Sequence, residues 1–149
     1  MNVYRISKTE YAHDLTGTGA KLFGGRWNHI NVPCIYTAGS AALAVLEYSV
    51  NVNVAFVPHH LSLAIFEIDE KYIHIPEKLP GDWATVPAPL SAKDFGNQLL
   101  SDNIPVIRIP SVVIPAEYNY LLNPSAALKA FRLVEVQEFR YDMRIKKEG

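Results

Sequence analysis

Alternating apolar and polar residues predict strands in several separate parts of the chain. Residues 61–68 alternate well enough for a strand with one buried face, and residues 131–139 predict a final strand. Shorter extended segments are predicted at 3–6, 34–37, 71–75, 104–109 and 112–114. Helical stretches are interspersed, but strand and helix do not alternate regularly. The order therefore predicts an α+β fold, with two packed β-sheets and helices on their flanks.

A helix is predicted over residues 41–50, where no helix breaker occurs and Gly39 or Ser40 can cap the first turn. Its apolar stripe follows the i, i+3, i+4, i+7 spacing and consists of Leu43, Leu46, Glu47 and Val50. Glu47 is therefore expected on the side of the helix that faces the core. A carboxylate in that position is costly to desolvate unless it is paired or lines a cleft.

The remaining segments are predicted from their turn and cap residues. Ser91-Ala92-Lys93-Asp94 has the outline of a capping box, so a second helix is expected to follow from there. Gly96 weakens the apolar face of that helix. Residues 77–89 are rich in proline and predict a long surface connection. Residues 16–20 predict a glycine-rich loop, and residues 119–124 predict a turn whose asparagines bond their own backbone.

The stretch Gly24-Gly25-Arg26-Trp27-Asn28 is the first candidate for chemistry. Its two glycines allow a tight backbone that a ligand can approach closely. An arginine held there can clamp a planar, doubly charged group such as a pyrophosphate. Tyr36 follows on a predicted strand and Glu47 on the predicted helix. Two interpretations of Glu47 stay open: a functional acid, or a buried ion pair with Arg26 that fastens helix to loop.

Composition limits the classes of function. A length of 149 residues predicts one domain, residues 1–149. Fourteen basic and fifteen acidic side chains nearly cancel, and no basic run precedes Lys146-Lys147, so direct binding to nucleic acid is not expected. No apolar run could span a bilayer, and the N-terminus lacks the apolar core of a signal peptide. A single cysteine fits a reducing compartment, so a cytoplasmic protein without a membrane partner is expected.

Neither the cysteine nor the histidines predict a reactive or metal-binding site. Cys34 lies between Pro33 and Ile35 at the start of an apolar strand, where a small buried packing residue is expected. The five histidines show no zinc-type spacing. No metal is therefore expected.

A series of short motifs, taken in order, resembles the RES-domain toxins of bacterial toxin–antitoxin pairs. The motifs are Tyr4-Arg5-Ile6, Gly19-Ala20, Gly24-Gly25-Arg26-Trp27-Asn28, Tyr36-Thr37, Ala44-Val45-Leu46-Glu47, Pro110-Ser111 and Asn119-Tyr120-Leu121-Leu122-Asn123-Pro124. That family is named for an arginine, a glutamate and a serine, which correspond here to Arg26, Glu47 and Ser111. The resemblance covers almost the whole chain.

The chain departs from the family pattern at two places. The usual turn glycine after the GGRWN stretch is missing, and Asn31 is expected to adopt the left-handed conformation in its place. A His-Pro pair that often follows Asn123-Pro124 is replaced by Ser125-Ala126-Ala127.

The resemblance implies a fold like that of the ADP-ribosyltransferases and NAD as the substrate. Members of the family deplete NAD by hydrolysis or phosphorolysis, or transfer ADP-ribose to a protein. The resemblance also implies an antitoxin partner with a helix-turn-helix of the Xre type that blocks the active site, and a homodimer or a larger toxin–antitoxin assembly.

Roles for the candidate residues follow as a hypothesis for cleavage of the nicotinamide–ribose bond. Arg26, with Arg5, holds the pyrophosphate. Tyr36 stacks against the nicotinamide, and Glu47 bonds a ribose hydroxyl and stabilises the developing positive charge. Ser111 orients either the ribose or Glu47. The alternatives are an ADP-ribosyltransferase that modifies a specific protein, and a non-catalytic module that only binds a partner.

Overall fold

A computed structural model describes residues 1–146, so Lys147 and the end of the expected domain lie outside the described residues. Seven strands occur in this range: β1 (Asn2–Lys8), β2 (Ile35–Ala38), β3 (Leu61–Ile68), β4 (Ile73–His74), β5 (Val106–Pro110), β6 (Tyr118–Leu122) and β7 (Phe131–Phe139). The same range contains the helices α1 (Thr18–Phe23), α2 (Ala41–Asn51) and α3 (Leu90–Ser101). None of these helices has both the length and the apolar character needed to cross a membrane.

The strands form a single hydrogen-bonded sheet in the order β4-β5-β6-β2-β1-β3-β7. All neighbours are antiparallel except β4 and β5. The α+β class is confirmed. The expected pair of sheets is present as two halves of one sheet, because the pairing of Tyr4 with Ala38 links the backbones of β1 and β2. We call these the β1 half (β1, β3 and β7) and the β2 half (β2, β4, β5 and β6).

The two halves share one apolar core. Both contribute buried side chains to it, among them Val3, Ala64, Phe66, Ile35, Val106 and Leu122. Successive side chains of a strand point to opposite faces, so the intervening residues face outward, where the long helices pack. On this outer face, α2 packs on the β1 half through Leu43 and Ala44, and α3 packs on the β2 half through Ala92 and Leu100.

The long periodic elements confirm their predictions, whereas several short ones do not. β3 and β7 have the predicted bounds, and α2 extends the predicted helix by one residue. The loop predicted at 16–20 is wrong because α1 begins at Thr18. The turn predicted at 119–124 is wrong over residues 119–122, which belong to β6, whereas Asn123 does bond the nearby backbone by accepting the Ser125 N–H. The extended segment predicted at 112–114 is a bend instead.

The expected capping box of the second helix is also wrong. Pro89 occupies the cap position of α3 and makes no side-chain cap bond. Ser91 lies inside the helix, where its hydroxyl donates to Asp82 in the preceding loop. The first turn of α3 is therefore tied to that loop rather than capped by its own side chain.

Two predictions for single residues are confirmed. Cys34 is 2 % exposed, and its burial raises the pKa of the thiol far above the ordinary value, as expected of a packing residue. Asn31 takes a left-handed conformation with φ of 79°, so the turn after the GGRWN stretch survives without glycine.

Candidate active site

The loop Gly24–Asn28 is closed on itself by a hydrogen bond of 3.1 Å from the Gly25 N–H to the Asn28 carbonyl oxygen. Gly24 has a φ of +72°, a left-handed conformation that suits glycine. A Cβ atom on Gly25 would lie only 2.6 Å from the Tyr36 hydroxyl. The glycine pair is therefore explained by the tight turn and by the tyrosine packed beneath it.

Tyr36 holds this loop through its hydroxyl group. The hydroxyl donates to Oδ1 of Asn28 at 2.5 Å and accepts the backbone N–H of Trp27 at 3.0 Å. Burial raises the pKa of Tyr36 well above its ordinary value, so the hydroxyl keeps its proton for this bond. The hydroxyl of Tyr36 is thus committed to the loop, and only its half-buried ring remains for a ligand.

The loop Gly24–Asn28 packs against helix α3. A Cβ atom on Gly96 would lie 2.0 Å from the carbonyl oxygen of Trp27, so only glycine permits this approach. Lys93 Nζ donates to the Gly25 carbonyl at 2.7 Å, and Asn97 Oδ1 accepts the His29 N–H at 2.9 Å. Gly96, which weakens the apolar face in the sequence pattern, lies where the helix backbone approaches the loop too closely for a side chain.

Arg26 leans toward the long connection between β4 and α3. Its Nη1 donates to the carbonyl oxygens of Trp83 at 2.8 Å and Thr85 at 2.7 Å. Burial lowers the pKa of Arg26, and the nearby negative charge of Glu47 opposes that shift. Within residues 1–146, Nε and Nη2 make no hydrogen bond, which leaves one edge of the guanidinium fork for an anion.

Glu47 is half-buried and is held by only one of its two carboxylate oxygens. Oε1 accepts hydrogen bonds from the Ser111 hydroxyl at 2.6 Å and from Nδ2 of Asn119 at 2.8 Å. Oε2 has no hydrogen-bond partner among the residues that the structure describes. The ion-pair interpretation is wrong, because no salt bridge joins Glu47 to Arg26 in that part of the chain.

The Ser111 hydroxyl has its direction fixed by the backbone. Its Oγ accepts the N–H groups of Val113 at 3.0 Å and Ile114 at 3.1 Å. With two donors on its oxygen, the hydroxyl's one proton is left for Oε1 of Glu47. Ser111 therefore lies beside Glu47 as a donor and is fully buried.

The stripe predicted for α2 is partly wrong. Leu43 is 1 % exposed, but Val50 is 56 % exposed, so the buried face of the helix does not extend through Val50. Glu47 consequently lies at the edge of the buried face, above β6, rather than in its centre. Ser40 caps the helix by accepting the Leu43 N–H at 3.1 Å, which selects between the two caps that the sequence allowed.

Arg5 is not brought into this group of side chains. Its guanidinium lies 5.1 Å from the ring centroid of Phe66 and donates to the carbonyls of Ala12 at 3.0 Å and Asp14 at 3.2 Å. Burial lowers its pKa. Arg5 and Val3 point to the same face of β1, toward the shared core, whereas α2 packs on the other face. Its contacts fasten the loop after β1, and a role on pyrophosphate stays a prediction.

Asn119 is the contact that the sequence did not reveal. The turn predicted at residues 119–124 pairs this side chain only with its own backbone. In β6 it points to the outer face like Leu121, and an amide on a predominantly apolar face would have been the available signal. Among residues 1–146 no cluster of His, Cys, Asp and Glu is arranged to hold a metal ion.

Comparison with known families and proteins gives consistent matches along the chain. The family described as RES domain matches residues 2–144. The "Prs ADP-ribosylating toxin" of Sphingobium sp. strain YBL2 is 35% identical over 146 residues, which cover 93% of this chain and 91% of that protein. "Toxin Res" of Yersinia enterocolitica is 36% identical over 152 residues and covers 98% of this chain and 100% of its own length.

A solved structure shares the fold. It is a chain in the crystal structure of the M. tuberculosis MbcT–MbcA toxin–antitoxin complex, with a TM-score of 0.74, coverage of 93% of this chain and coverage of 83% of that chain. The sequence identity is 16%, so this likeness concerns the fold alone.

Proposed function

The chain belongs to the RES domain family, and on that premise we propose that it is the toxin of a toxin–antitoxin pair that cleaves the nicotinamide–ribose bond of NAD. The names of its relatives support a toxin, and one of them is named as an ADP-ribosylating toxin. NAD is the substrate in this proposal, and no metal is required.

The observation that carries the proposal is the state of the Glu47 carboxylate. Oε1 is fixed by two donors, Ser111 and Asn119, while Oε2 is uncommitted among the described residues. Arg26 lies near enough for the charge of Glu47 to oppose the lowering of its pKa by burial, yet the two do not pair. A carboxylate held in one orientation beside a partly free guanidinium suits a ligand with a ribose and a pyrophosphate.

In the proposed step the bond between C1′ of the ribose and the nicotinamide nitrogen breaks. The electron pair stays on the nitrogen, so nicotinamide leaves as a neutral molecule and needs no general acid. The ribose is left with oxocarbenium character, as in glycoside hydrolysis. Glu47 stabilises that positive charge, Arg26 holds the pyrophosphate and the Tyr36 ring stacks on the nicotinamide. Water or phosphate then adds to C1′ and releases a proton.

Glu47→Gln tests this role because it keeps the shape of the side chain and removes its charge. A preplaced charge of this kind contributes roughly 3–4 kcal/mol, so we expect nicotinamide release from NAD to slow about 10²–10³-fold. Glu138→Gln is the matched control, since Glu138 is exposed on β7 and should keep the parental rate. Unchanged turnover by Glu47→Gln would remove the assignment.

A second candidate is transfer of ADP-ribose to a specific protein, which the name of the Sphingobium relative favours. Both functions share the bond-breaking step and differ only in the acceptor. Incubation with labelled NAD separates them: nicotinamide release with water or phosphate alone supports depletion, and label on a lysate protein supports transfer. No turnover in either case, together with tight binding to another chain, would support a non-catalytic module.

An antitoxin is the proposed partner. The family resemblance implies it, and the name "Toxin Res" of two relatives supports it. That the antitoxin is of the Xre type, that the toxin forms a homodimer and that it acts in the cytoplasm stay predictions.

A further inference from the structure

We propose that Asn119 is a positioning residue for Glu47, which selects the carboxylate oxygen that is presented to substrate. The inference rests on the proposed function of Glu47 as the group that stabilises charge on the ribose. Its basis is the hydrogen bond of 2.8 Å from Nδ2 of Asn119 to Oε1 of Glu47, across 72 residues of sequence.

The backbone of Asn119 belongs to an interior strand of the sheet. β6 lies between β5 and β2, and Asn119 pairs with Ile109 on one side and with Ala38 on the other. Successive residues of β6 bond alternately to β5 and to β2, so this part of the strand is held from both sides. The small Ala38 leaves space beside the amide, which α2 covers. A donor on this strand keeps a constant position while the helix packs above it.

The two donors to the Glu47 carboxylate come from different elements. Ser111 comes from the turn after β5 and Asn119 from the adjacent strand, and both reach the same oxygen. With a single donor the carboxylate of Glu47 could rotate about its Cγ–Cδ bond, whereas two donors from different elements fix the plane of the carboxylate. Oε2 then faces away from both and remains available for a ribose hydroxyl and for the developing charge.

The amide oxygen of Asn119 indicates that asparagine is needed at this position for its Nδ2 donor. Oδ1 of Asn119 is buried without a hydrogen-bond partner among the described residues. A flipped amide would place this oxygen against Oε1 of Glu47, so the orientation is set by charge. A buried acceptor without a partner costs stability. A residue kept only for folding would not carry that cost, whereas a donor to Glu47 explains it.

The test compares Asn119→Ala and Asn119→Val with the parent, the valine variant retaining a side chain that suits a strand. We expect kcat for nicotinamide release to fall roughly 10–100-fold, as for a misplaced reacting group, with KM for NAD nearly unchanged. In the Glu47→Gln background the same changes should cause no further loss, because Asn119 acts only through the carboxylate.

Asn123→Ala is the matched control. Asn123 is 2 % exposed, and its Nδ2 donates to the carbonyls of Leu100 and Ile104 at 3.0 Å each, so its role is structural. It should lower the melting temperature and leave kcat of the folded enzyme unchanged. A fall in kcat of less than twofold in both Asn119 variants, or a further loss in the Glu47→Gln background, would overturn the inference.

Failure of the proposed function would be visible separately, as absence of nicotinamide release by the parent protein. In that case a crystal structure of Asn119→Val decides the inference. Rotation of the Glu47 carboxylate away from its parental position would support it, and an unmoved carboxylate would overturn it.

Discussion

Two hydroxyl groups in the site have their directions imposed by backbone N–H groups. Tyr36 accepts an N–H from Trp27 and gives its proton to Asn28, and Ser111 accepts two N–H groups and gives its proton to Glu47. An oxygen that already accepts from the main chain has its proton left for the remaining partner. Residues of this kind fix geometry through hydrogen bonds and need no charge of their own.

Tyr36→Phe removes one of these hydroxyls and is expected to destabilise the protein. The N–H of Trp27 loses its acceptor in a buried setting, which costs roughly 1–3 kcal/mol. Urea unfolding at pH 7 measures the difference. The same variant should weaken NAD binding, since the loop that carries Arg26 is held by this hydroxyl; calorimetry with NAD measures that effect.

The difference between Tyr36→Phe and the parent should also depend on pH. Because burial raises the folded pKa of Tyr36 above its ordinary value of 10.0, its contribution is complete below pH 10 and is lost as the pH rises further. The other tyrosines are present in both proteins, so their effect on stability cancels in the difference between the parent and Tyr36→Phe. A stability difference that stayed constant or grew above pH 10 would contradict this account.

At the scale of elements, α1 and α3 each contain a glycine whose surroundings predict opposite effects of the same substitution. A Cβ atom on Gly96 in α3 would lie 2.0 Å from the Trp27 carbonyl oxygen, whereas one on Gly19 in α1 would meet nothing within 4 Å. Alanine is the better helix former by about 0.5–1 kcal/mol in both cases. Packing must therefore decide the sign.

Gly96→Ala is expected to destabilise by roughly 1–3 kcal/mol or more despite the gain in helix propensity, because the backbone contact cannot yield cheaply. Gly19→Ala is expected to stabilise by about 0.5–1 kcal/mol. Thermal unfolding of both variants checks the pair. Equal changes in stability for the two variants would mean that α3 does not pack against the loop as closely as in the structure.

The elements also show which information the sequence carries. β3 and α2 were predictable because each repeats its own period over eight or more residues. α1 has only six residues, too few for a helical period to emerge beside two glycines. β6 was hidden by two asparagines that look like turn residues when their distant partners are unknown.

The candidate site divides in the same way. Glu47 could be singled out because a carboxylate conflicts with its apolar stripe. Arg26 stood out because two glycines precede it, and Tyr36 because it follows on a predicted strand. Ser111 could be found only through the family resemblance, and Asn119 not at all, since they contact Glu47 across 64 and 72 residues of sequence. The contact of Arg26 with Trp83, across 57 residues, was equally out of reach. No local period records such contacts, which depend on how α2 and the loop Gly24–Asn28 pack on the sheet.

For the whole molecule, the narrow join between the halves raises the question of whether they unfold together. β1 and β2 share the Tyr4–Ala38 pairing, but the core between the halves draws side chains from both. Phe66 of β3 is fully buried there and packs edge-on against Phe131 with ring centroids 6.2 Å apart. Cooperativity should therefore come from the shared core rather than from strand pairing.

Phe66→Ala tests this because the protein's two tryptophans report from elsewhere. Trp27 and Trp83 both pack with α3 on the outer face of the β2 half, while Phe66 belongs to the β1 half. Truncation of a buried phenylalanine costs roughly 3–5 kcal/mol. If the halves unfold as one unit, tryptophan fluorescence and far-ultraviolet circular dichroism should both show this loss at the same urea concentration.

Phe56→Ala is the control for that experiment, since Phe56 is 77 % exposed and its loss should change stability by no more than about 0.5 kcal/mol. A tryptophan transition that stayed at the parental urea concentration in Phe66→Ala, while circular dichroism shifted, would show that the halves unfold separately. Coincident shifts would instead mean that the shared core couples the unfolding of the loop with Arg26 to the unfolding of the β1 half, on which α2 packs. The site that spans both halves would then be assembled and lost as one.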